Sequence, residues 1–335
     1  MSRICSIIFI VCLSASAFAA PSAAAGRGAR LDAPRPRYAG CEKAQEHFVT
    51  VEKLRVHYLE SGAGPTLVLI HGNAGAVEDF ALHAIGLLCS EYRVVAVDRP
   101  GHGKSDRPSA KTPTLEDQAE LLHQTLVGLG IRNPILVGHS WGGSLALAYS
   151  LQYQSEVSAL VLLAPAAYPD NREYRWLQVA TKPPILGDLS LLLAKLTIGR
   201  RLLKQNLTEA FAPEKLTDDY LRFATKSWLD RKHLKSYLED EWNLNASLKR
   251  LSKHYSEIHI PVVIVTGAHD KVVPPGQNAY RLNAVIPRSQ LIELKDTGHE
   301  IPQTHPESIN RALTMIPASA TLKAGEGVRT EAGKP

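Results

Sequence analysis

A serine placed between two glycines is the feature of this sequence with the clearest chemical potential. The stretch Gly138-His139-Ser140-Trp141-Gly142 has the pattern G-x-S-x-G, follows an apolar run and precedes a segment of small and apolar residues. A strand, a sharp turn and a helix in this order present a serine hydroxyl as a nucleophile. Glycines permit the tight turn, and the helix directs its N-terminal N–H groups at any anion that forms there.

A serine hydroxyl needs a base, and the base needs an acid that orients it. After a G-x-S-x-G serine, the chain order is Asp or Glu and then His. Asp270 follows the apolar run 262–265, and His299 follows the run 291–294. Because each residue comes just after the carboxyl end of its own predicted strand, as Ser140 does, the three side chains can converge at one edge of a sheet. We therefore predict a catalytic triad of Ser140, Asp270 and His299.

The stretch His71-Gly72-Asn73 supplies a further piece, since it follows the apolar run 67–70. The backbone N–H of Asn73 can pair with that of Trp141 to form an oxyanion hole. Losing one such donor typically slows acyl transfer by roughly 100- to 1000-fold.

Apolar runs of strand length recur along the chain and alternate with segments of helical pattern. The predicted strands are 47–60 (two strands), 66–70, 93–97, 135–137, 157–163, 261–265 and 290–294, and the clearest helices are 77–90 and 115–129. The second helix starts with Thr114 and Asp117, a variant of the capping box. This alternation predicts an α/β fold with a mostly parallel sheet that is covered on both faces.

Between 168 and 258 the strand pattern disappears, which predicts a helical insertion between two strands. Its helices are expected at 189–196, 216–228 and 233–248. Ligands of α/β folds bind beyond the carboxyl ends of the strands, so an insertion rooted there would cover the crevice. Each of its tryptophans is expected to pack inside the insertion rather than to line the crevice: Trp176, Trp228 and Trp242. The run Glu239-Asp240-Glu241 is interpreted as a solvated helix face.

Together these features resemble the α/β-hydrolase superfamily, in particular its lid-bearing, esterase-like serine hydrolases. The resemblance extends from about residue 47 to residue 316. It rests on the ordered motifs His71-Gly72, Asp98 to Ser105, the turn at Ser140, Gly267-x-x-Asp270 and Gly298-His299. It implies an eight-stranded, mostly parallel sheet with helices on both faces and a helical lid after the sixth strand. It also implies that neither a metal nor an organic cofactor is needed.

The predicted domain organisation follows from these assignments. It consists of a signal peptide at 1–19, a flexible lead-in at 20–45, the first part of the core at 46–167, the lid at 168–258, the second part of the core at 259–316 and a disordered tail at 317–335.

The predicted activity is that of a serine hydrolase that forms an acyl-enzyme intermediate on a small ester-like substrate. Carbon–carbon bond hydrolases, haloperoxidase-like enzymes and proline iminopeptidases share this skeleton and stay open as alternatives. A non-catalytic ligand-binding protein is the alternative from another class. Asn73 with Trp141 resembles the halide-binding pair of haloalkane dehalogenases. Those enzymes and the epoxide hydrolases carry an aspartate at the position of Ser140, which argues against both activities.

Several other residues near the motifs compete for the same roles. Asp98 is an alternative to Asp270 as the acid. The histidines that flank motif glycines are expected to support the site through hydrogen bonds rather than to act as the base: His71, His102 and His139. The G-K-S of Gly101 to Ser105 lacks the spacer of a phosphate-binding loop, which argues against nucleotide binding.

Composition describes an ordinary globular chain. Of its 335 residues, 44% are hydrophobic and 21% are charged, and the net charge is +5 at pH 7. A long Lys/Arg run is missing from the sequence, which argues against a nucleic-acid partner and leaves a small-molecule substrate.

The N-terminus has the pattern of a secretory signal: Arg3, an apolar stretch over 4–18, and Ala17-Phe18-Ala19 as an A-x-A cleavage site. We predict cleavage after Ala19, export to the periplasm or the medium, and no stable membrane insertion afterwards; an uncleaved anchor is the other interpretation.

Cys41 and Cys89 remain in the mature chain. They can form a disulfide in an oxidising compartment or stay as separate thiols.

Overall fold

The computed structural model describes residues 43–109, 111–170, 199–228 and 230–325, apart from the side chain of Arg231. The predicted signal peptide, Cys41, Trp176 and the helix expected at 189–196 lie outside the described residues.

An eight-stranded sheet forms the centre of the described part of the chain. The strands are β1 (Gln45–Val51), β2 (Leu54–Ser61), β3 (Thr66–Ile70), β4 (Arg93–Val97), β5 (Ile135–His139), β6 (Ala159–Leu163), β7 (Val262–Gly267) and β8 (Gln290–Leu294). Their spatial order is β1-β2-β4-β3-β5-β6-β7-β8. Only the pairs β1–β2 and β2–β4 are antiparallel. The predicted α/β fold with a mostly parallel, eight-stranded sheet is therefore confirmed.

Helices cover both faces of this sheet. In chain order, the helices of the described residues, including those of the insertion, are α1 (Glu78–Ala81), α2 (Ala84–Leu88), α3 (Leu115–Gly128), α4 (Trp141–Gln152), α5 (Arg200–Phe211), α6 (Asp218–Trp228), α7 (Arg231–Leu251), α8 (Ala279–Val285), α9 (Ile301–Thr304), α10 (Glu307–Thr314) and α11 (Ala318–Gly325). At the start of α3, the Thr114 side chain accepts from the Asp117 N–H while the Asp117 carboxylate accepts from the Thr114 N–H, so the predicted capping box is present.

The central strands are buried along their whole length, which is why their sequences are continuous apolar runs. Alternate residues of each strand enter different core clusters. In β3, Val68 and Ile70 pack on one face with residues of α3 and α4, whereas Leu67 and Leu69 pack on the other with residues of α1, α2 and α10. The strands therefore form a rigid base from which the loops at the carboxyl edge project.

Two helix predictions differ from the structure. The helix predicted over 77–90 is divided into α1 and α2, because His83 leaves the helical backbone with φ −138° and ψ −44°. Helix α5 was not predicted, although its buried residues recur at a spacing of four: Leu203, Leu207 and Phe211. These side chains form a small core with Tyr220 and Ala224 of α6.

The predicted bounds of the core also need correction at both ends. Strand β1 begins at Gln45, inside the segment predicted as a flexible lead-in. The prediction of a disordered tail over 317–335 is wrong for α11. Ala320 and Ala324 are buried there and join the core cluster of Leu67, because two alanines four residues apart give this short helix one apolar side. Residues 326–335 lie outside the described part.

Among the described residues, no helix is both long and apolar enough to cross a bilayer.

Candidate active site

Ser140 occupies the turn between β5 and α4 in a backbone conformation that few side chains adopt. Its φ is 52° and its ψ is −115°, and such a residue typically stores about 1–3 kcal/mol of strain. Neighbouring backbone holds it there: the Ser140 N–H donates to Leu163 O at 2.9 Å, and Ala166 N–H donates to Ser140 O at 3.2 Å. The sharp turn predicted from the motif is thus present.

The two motif glycines are required by close backbone contacts. A Cβ on Gly138 would lie 2.4 Å from Gly142 O, and one on Gly142 would lie 2.2 Å from Ile70 O. Only residues without a side chain let α4 leave the sheet so close to β3 and β5.

Asp270 and His299 meet at the same edge of the sheet, in the loops after β7 and β8. His299 Nδ1 lies 2.7 Å from Asp270 Oδ2, and both residues are only 4% exposed. The other carboxylate oxygen accepts from the N–H groups of Val272 (2.9 Å) and Val273 (2.8 Å). Because these bonds fix the carboxylate, it orients the imidazole and leaves Nε2 as the ring nitrogen for proton transfer.

The backbone of His299 is held from two sides. Its N–H donates to Ala210 O at 2.8 Å, and its carbonyl lies 3.0 Å from His139 Nε2. Burial first, and then the charge of His299, lower the pKa of His139 to about 3. His139 is therefore neutral and donates through Nε2 to the carbonyl, which can only accept. This is the supporting position expected for a histidine beside the motif glycine.

Ser140 and His299 line one cavity of about 470 Å³. Asn73 and Trp141 line it too, so the cavity holds all the predicted site residues except Asp270, which lies behind His299. Among the residues that the helical insertion contributes are Leu207, Trp228, Leu238 and Trp242. The expectation that the tryptophans pack inside the insertion rather than line the crevice is therefore wrong for Trp228 and Trp242, which both line the cavity. Trp228 also packs against the small core of the insertion.

Asn73 and Trp141, the residues predicted for the oxyanion hole, line the same cavity as Ser140. Trp141 is the first residue of α4, so its N–H has no acceptor within the helix. No backbone hydrogen bond from the Asn73 N–H is found to any described residue. The Asn73 side chain bridges core and insertion, because its Nδ2 donates to Glu241 Oε1 at 2.7 Å and to Tyr237 O at 3.2 Å.

The acidic run of α7 is not the solvated face that was predicted. Asp240 is fully buried and pairs with Arg99 at 2.5 Å and with Arg107 at 2.9 Å. Glu239, 9% exposed, pairs with Arg107 at 2.7 Å. The prediction failed because these cations come from a loop that is distant in sequence. Removing one partner of a buried ion pair typically costs about 3–5 kcal/mol of stability. The ion pairs of Asp240 and Glu239 with the two arginines therefore hold the insertion on the core.

Asp98, the alternative acid, has other partners. Its carboxylate lies 2.6 Å from His57 Nδ1 and accepts from the N–H groups of Val77 (2.8 Å) and Lys104 (2.9 Å). Asp98 therefore joins strand β2 to two loops of the core, while Asp270 is the acid in contact with His299.

The other two histidines near the motifs are buried supports. Burial, followed by the nearby Arg99 charge, holds the pKa of His71 and of His102 well below the usual range. His71 Nδ1 bonds Gly72 O at 2.8 Å, and its Nε2 accepts from the Arg99 N–H at 2.9 Å. Its position agrees with the supporting role that the sequence suggested.

A buried carboxyl pair in the cavity wall was not predicted. Asp79 and Glu300 both line the cavity, and the Tyr220 hydroxyl donates to Asp79 Oδ1 at 3.2 Å. Burial, and then the Glu300 charge, raise the pKa of Asp79 well above its usual value, and burial also raises that of Glu300. Glu300 could have been suspected because it follows His299 directly, whereas Asp79 lies in a helix pattern without any signal.

Within the described ranges, no group of three or more His, Cys, Asp or Glu side chains is arranged to hold a metal ion.

The fold and the motifs assign the chain to a class of protein. It belongs to the alpha/beta hydrolase fold family, whose model matches residues 65–306. This confirms the resemblance seen in the sequence.

Individual relatives are more varied. A 2-hydroxy-6-oxononadienedioate/2-hydroxy-6-oxononatrienedioate hydrolase of Paraburkholderia phymatum is 30% identical over 291 residues, which cover 81% of this chain and 95% of that protein. The uncharacterized hydrolase YugF of Bacillus subtilis is 28% identical over 268 residues, covering 79% and 94%. The fold of an esterase from Exiguobacterium antarcticum matches with a TM-score of 0.66 at 22% identity, covering 81% and 98%. The family and the two sequence relatives support hydrolase activity, and the likeness to the esterase shows the fold alone.

Proposed function

We propose that this protein is a serine hydrolase that cleaves a small ester through an acyl-enzyme intermediate. The observation that carries the proposal is the 2.7 Å contact of His299 with Asp270 beside a cavity that Ser140 lines. A serine in a strained turn, an oriented imidazole and two N–H groups without an acceptor among the described residues are the parts that acyl transfer requires.

The reaction proceeds in two halves. Ser140 Oγ attacks the ester carbonyl while His299 Nε2 accepts its proton, and the carbonyl π electrons move to the oxygen held by the Asn73 and Trp141 N–H groups. Collapse of this adduct breaks the bond to the alcohol, which takes the proton from His299. Water, deprotonated by His299, then attacks the acyl-enzyme and restores Ser140. Asp270 stabilises the imidazolium in both halves.

The charges of the cavity favour a neutral or cationic ester. The described lining residues include the carboxyl side chains of Asp170, Glu209 and Glu241, besides those of Asp79 and Glu300, whose raised pKa values favour the neutral form. Lys271 is the one lysine or arginine among the described lining residues. A substrate with two carboxylates would meet repulsion from this wall.

Carbon–carbon bond cleavage is the second candidate, because the relative at 30% identity carries the name of such a hydrolase. The substrate in that name is a dioate and therefore a dianion. We expect a lower kcat/KM for a 2-hydroxy-6-oxo-dienedioate than for a neutral ester. The reverse order would favour the second candidate.

Epoxide hydrolysis is not proposed, although some relatives bear that name. If Ser140 opened an epoxide, the product would be an ether, which water activated by His299 does not hydrolyse.

Nitrophenyl butyrate and a fluorophosphonate probe test the proposal together. We expect the wild-type protein to hydrolyse the ester and to be labelled, while Ser140→Ala does neither. Ser144→Ala is a matched control, because the Ser144 hydroxyl donates to Ala166 O and lies outside the triad. Hydrolysis by Ser140→Ala at the wild-type rate would refute the assignment. A folded wild-type protein that is neither labelled nor active would favour a ligand-binding role.

We further propose that the protein is exported. The N-terminal pattern supports this, and so does Cys89, which is disulfide-bonded. Disulfides persist mainly in oxidising compartments.

A further inference from the structure

One guanidinium group contacts both residues of the proposed oxyanion hole. Arg99 is 1% exposed, in the loop after β4. Its Nη2 donates to Gly72 O at 3.1 Å and to Asn73 Oδ1 at 3.2 Å. Its Cζ lies 3.9 Å from the centroid of the Trp141 ring.

The bond to Gly72 O has a specific geometric consequence. Gly72 C=O and Asn73 N–H belong to the same peptide group, which is trans. A trans peptide points its carbonyl and its N–H in opposite directions. Arg99 Nη2 and His71 Nδ1, which both donate to Gly72 O, therefore set the direction of the Asn73 N–H on the other side of the peptide. They also polarise the peptide, which makes the N–H a stronger donor.

The helical insertion sets the position of this guanidinium. Asp240 of α7 binds Arg99 Nη1 through one carboxylate oxygen at 2.5 Å. Its other oxygen accepts from Arg107 at 2.9 Å and from Gln118 at 3.0 Å. The Asp240 carboxylate is thus fixed on both oxygens, and it fixes Arg99 in turn.

We infer that Arg99 is a positioning residue that aims and polarises the Asn73 N–H of the oxyanion hole, and that Asp240 makes this dependent on the insertion. The inference rests on the proposed function, because an oxyanion hole has a role only if Ser140 attacks a carbonyl. It adds to that function a residue which touches no reacting atom.

The test compares Arg99→Lys with Arg107→Lys. Both substitutions keep a cation beside Asp240, but only the first removes the second arm that reaches Gly72 O. The probes are nitrophenyl butyrate, an alkyl trifluoromethyl ketone and the corresponding methyl ketone. The trifluoromethyl ketone adds to Ser140 Oγ, its π electrons move to the oxygen and the serine proton moves to His299, so its affinity depends on the oxyanion hole. The methyl ketone measures binding without that charge.

For Arg99→Lys we expect kcat/KM and trifluoromethyl ketone affinity to fall together, each by about 10- to 100-fold, as for a misaimed catalytic group. Methyl ketone affinity and KM should change little. Arg107→Lys should change none of these strongly. Equal losses in the two variants, or a loss confined to KM and methyl ketone binding, would overturn the inference.

A second pair of variants serves if Arg99→Lys does not fold. Asp240→Asn should weaken trifluoromethyl ketone binding selectively, whereas Glu239→Gln should not, because Glu239 pairs with Arg107 and Lys235 but not with Arg99. Identical behaviour of these two variants would also overturn the inference. Labelling of the wild-type protein by the fluorophosphonate distinguishes a failure of the proposed function from a failure of this inference. Without labelling and turnover, the proposed function and this inference fail together; with them, the ketone data decide the inference alone.

Discussion

The backbone N–H of His299 donates to the carbonyl oxygen of Ala210 at 2.8 Å. Ala210 belongs to α5 of the helical insertion, so the insertion holds the loop of the proposed catalytic base. The neighbouring Gly298 repeats the relationship: its N–H donates to Glu214 Oε2 at 3.0 Å, and a Cβ on it would lie 2.4 Å from Ala212 O. The insertion is therefore part of the architecture of the base and not only a wall of the cavity.

The assignment of the acid can be tested with Asp270→Asn. An asparagine keeps the shape but no longer stabilises the imidazolium and favours the wrong tautomer, so kcat should fall by about ten-thousandfold. The measurement is the steady-state rate with nitrophenyl butyrate. Asp98→Asn is the matched control, since Asp98 binds His57 instead. It should lower thermal stability while the folded protein keeps most of its kcat. A larger kcat loss in Asp98→Asn than in Asp270→Asn would reverse the assignment.

The buried carboxyl of Asp79 should make stability depend on pH. Its pKa is raised by burial and by Glu300. The folded state therefore keeps a proton that the unfolded state releases, and the free energy of unfolding decreases as pH rises from the ordinary pKa of Asp towards the folded value. Each pKa unit of difference corresponds to about 1.4 kcal/mol.

Asp79→Asn removes this titration while its Oδ1 can still accept from Tyr220. We expect the melting temperature of Asp79→Asn to exceed that of the wild-type protein by an amount that grows with pH over this interval. Asp219→Asn, on the exposed side of α6, is the control for loss of a surface carboxylate. A constant difference at all pH values would contradict the prediction.

The close approach at the nucleophile turn predicts a strong effect of one methyl group. In Gly142→Ala, the new Cβ would lie 2.2 Å from Ile70 O, which is backbone and cannot rotate away. Overpacking of this kind typically costs about 1–3 kcal/mol. Gly276→Ala is the control, since nothing lies within 4 Å of its added Cβ. Urea unfolding of both variants checks this, and equal free energies of unfolding would show that the turn tolerates a side chain.

Export predicts a defined mature N-terminus. After expression in a bacterial host, we expect the protein in the periplasm or medium to begin at Ala20. Cys89 should resist alkylation until a reductant is added. Recovery of a chain that still begins at Met1, or alkylation of Cys89 without reduction, would contradict the prediction.

Most of the sheet could be predicted from the sequence for one physical reason. Strands such as β5 are buried on both faces, so nearly every residue is apolar and the run is visible without any partner. The candidate triad was predictable because Ser140 and Asp270 each follow such a run, while His299 follows the partly exposed edge strand β8, which still carries three apolar residues. Parallel strands bring the ends of separate runs to one edge, whatever their distance in sequence.

Interactions between distant polar residues could not be predicted in this way. Asp240 looks like a surface residue until Arg99, 141 positions away, is placed against it. The pairing of Asp79 with Glu300 likewise depends on the final packing of α1 against the loop after β8. The local sequence pattern predicts which residues are buried, but it does not predict which charged side chains come into contact.

The bond from His299 to Ala210 limits how specificity can be changed in this chain. Exchanging the insertion for that of a relative would replace the cavity wall together with the carbonyl that supports the base and the carboxylate that holds Arg99. A successful chimera would have to retain Ala210 and Asp240 in their present places. Single substitutions at wall residues such as Leu207 or Leu238 offer a route to new substrates that leaves both attachments intact.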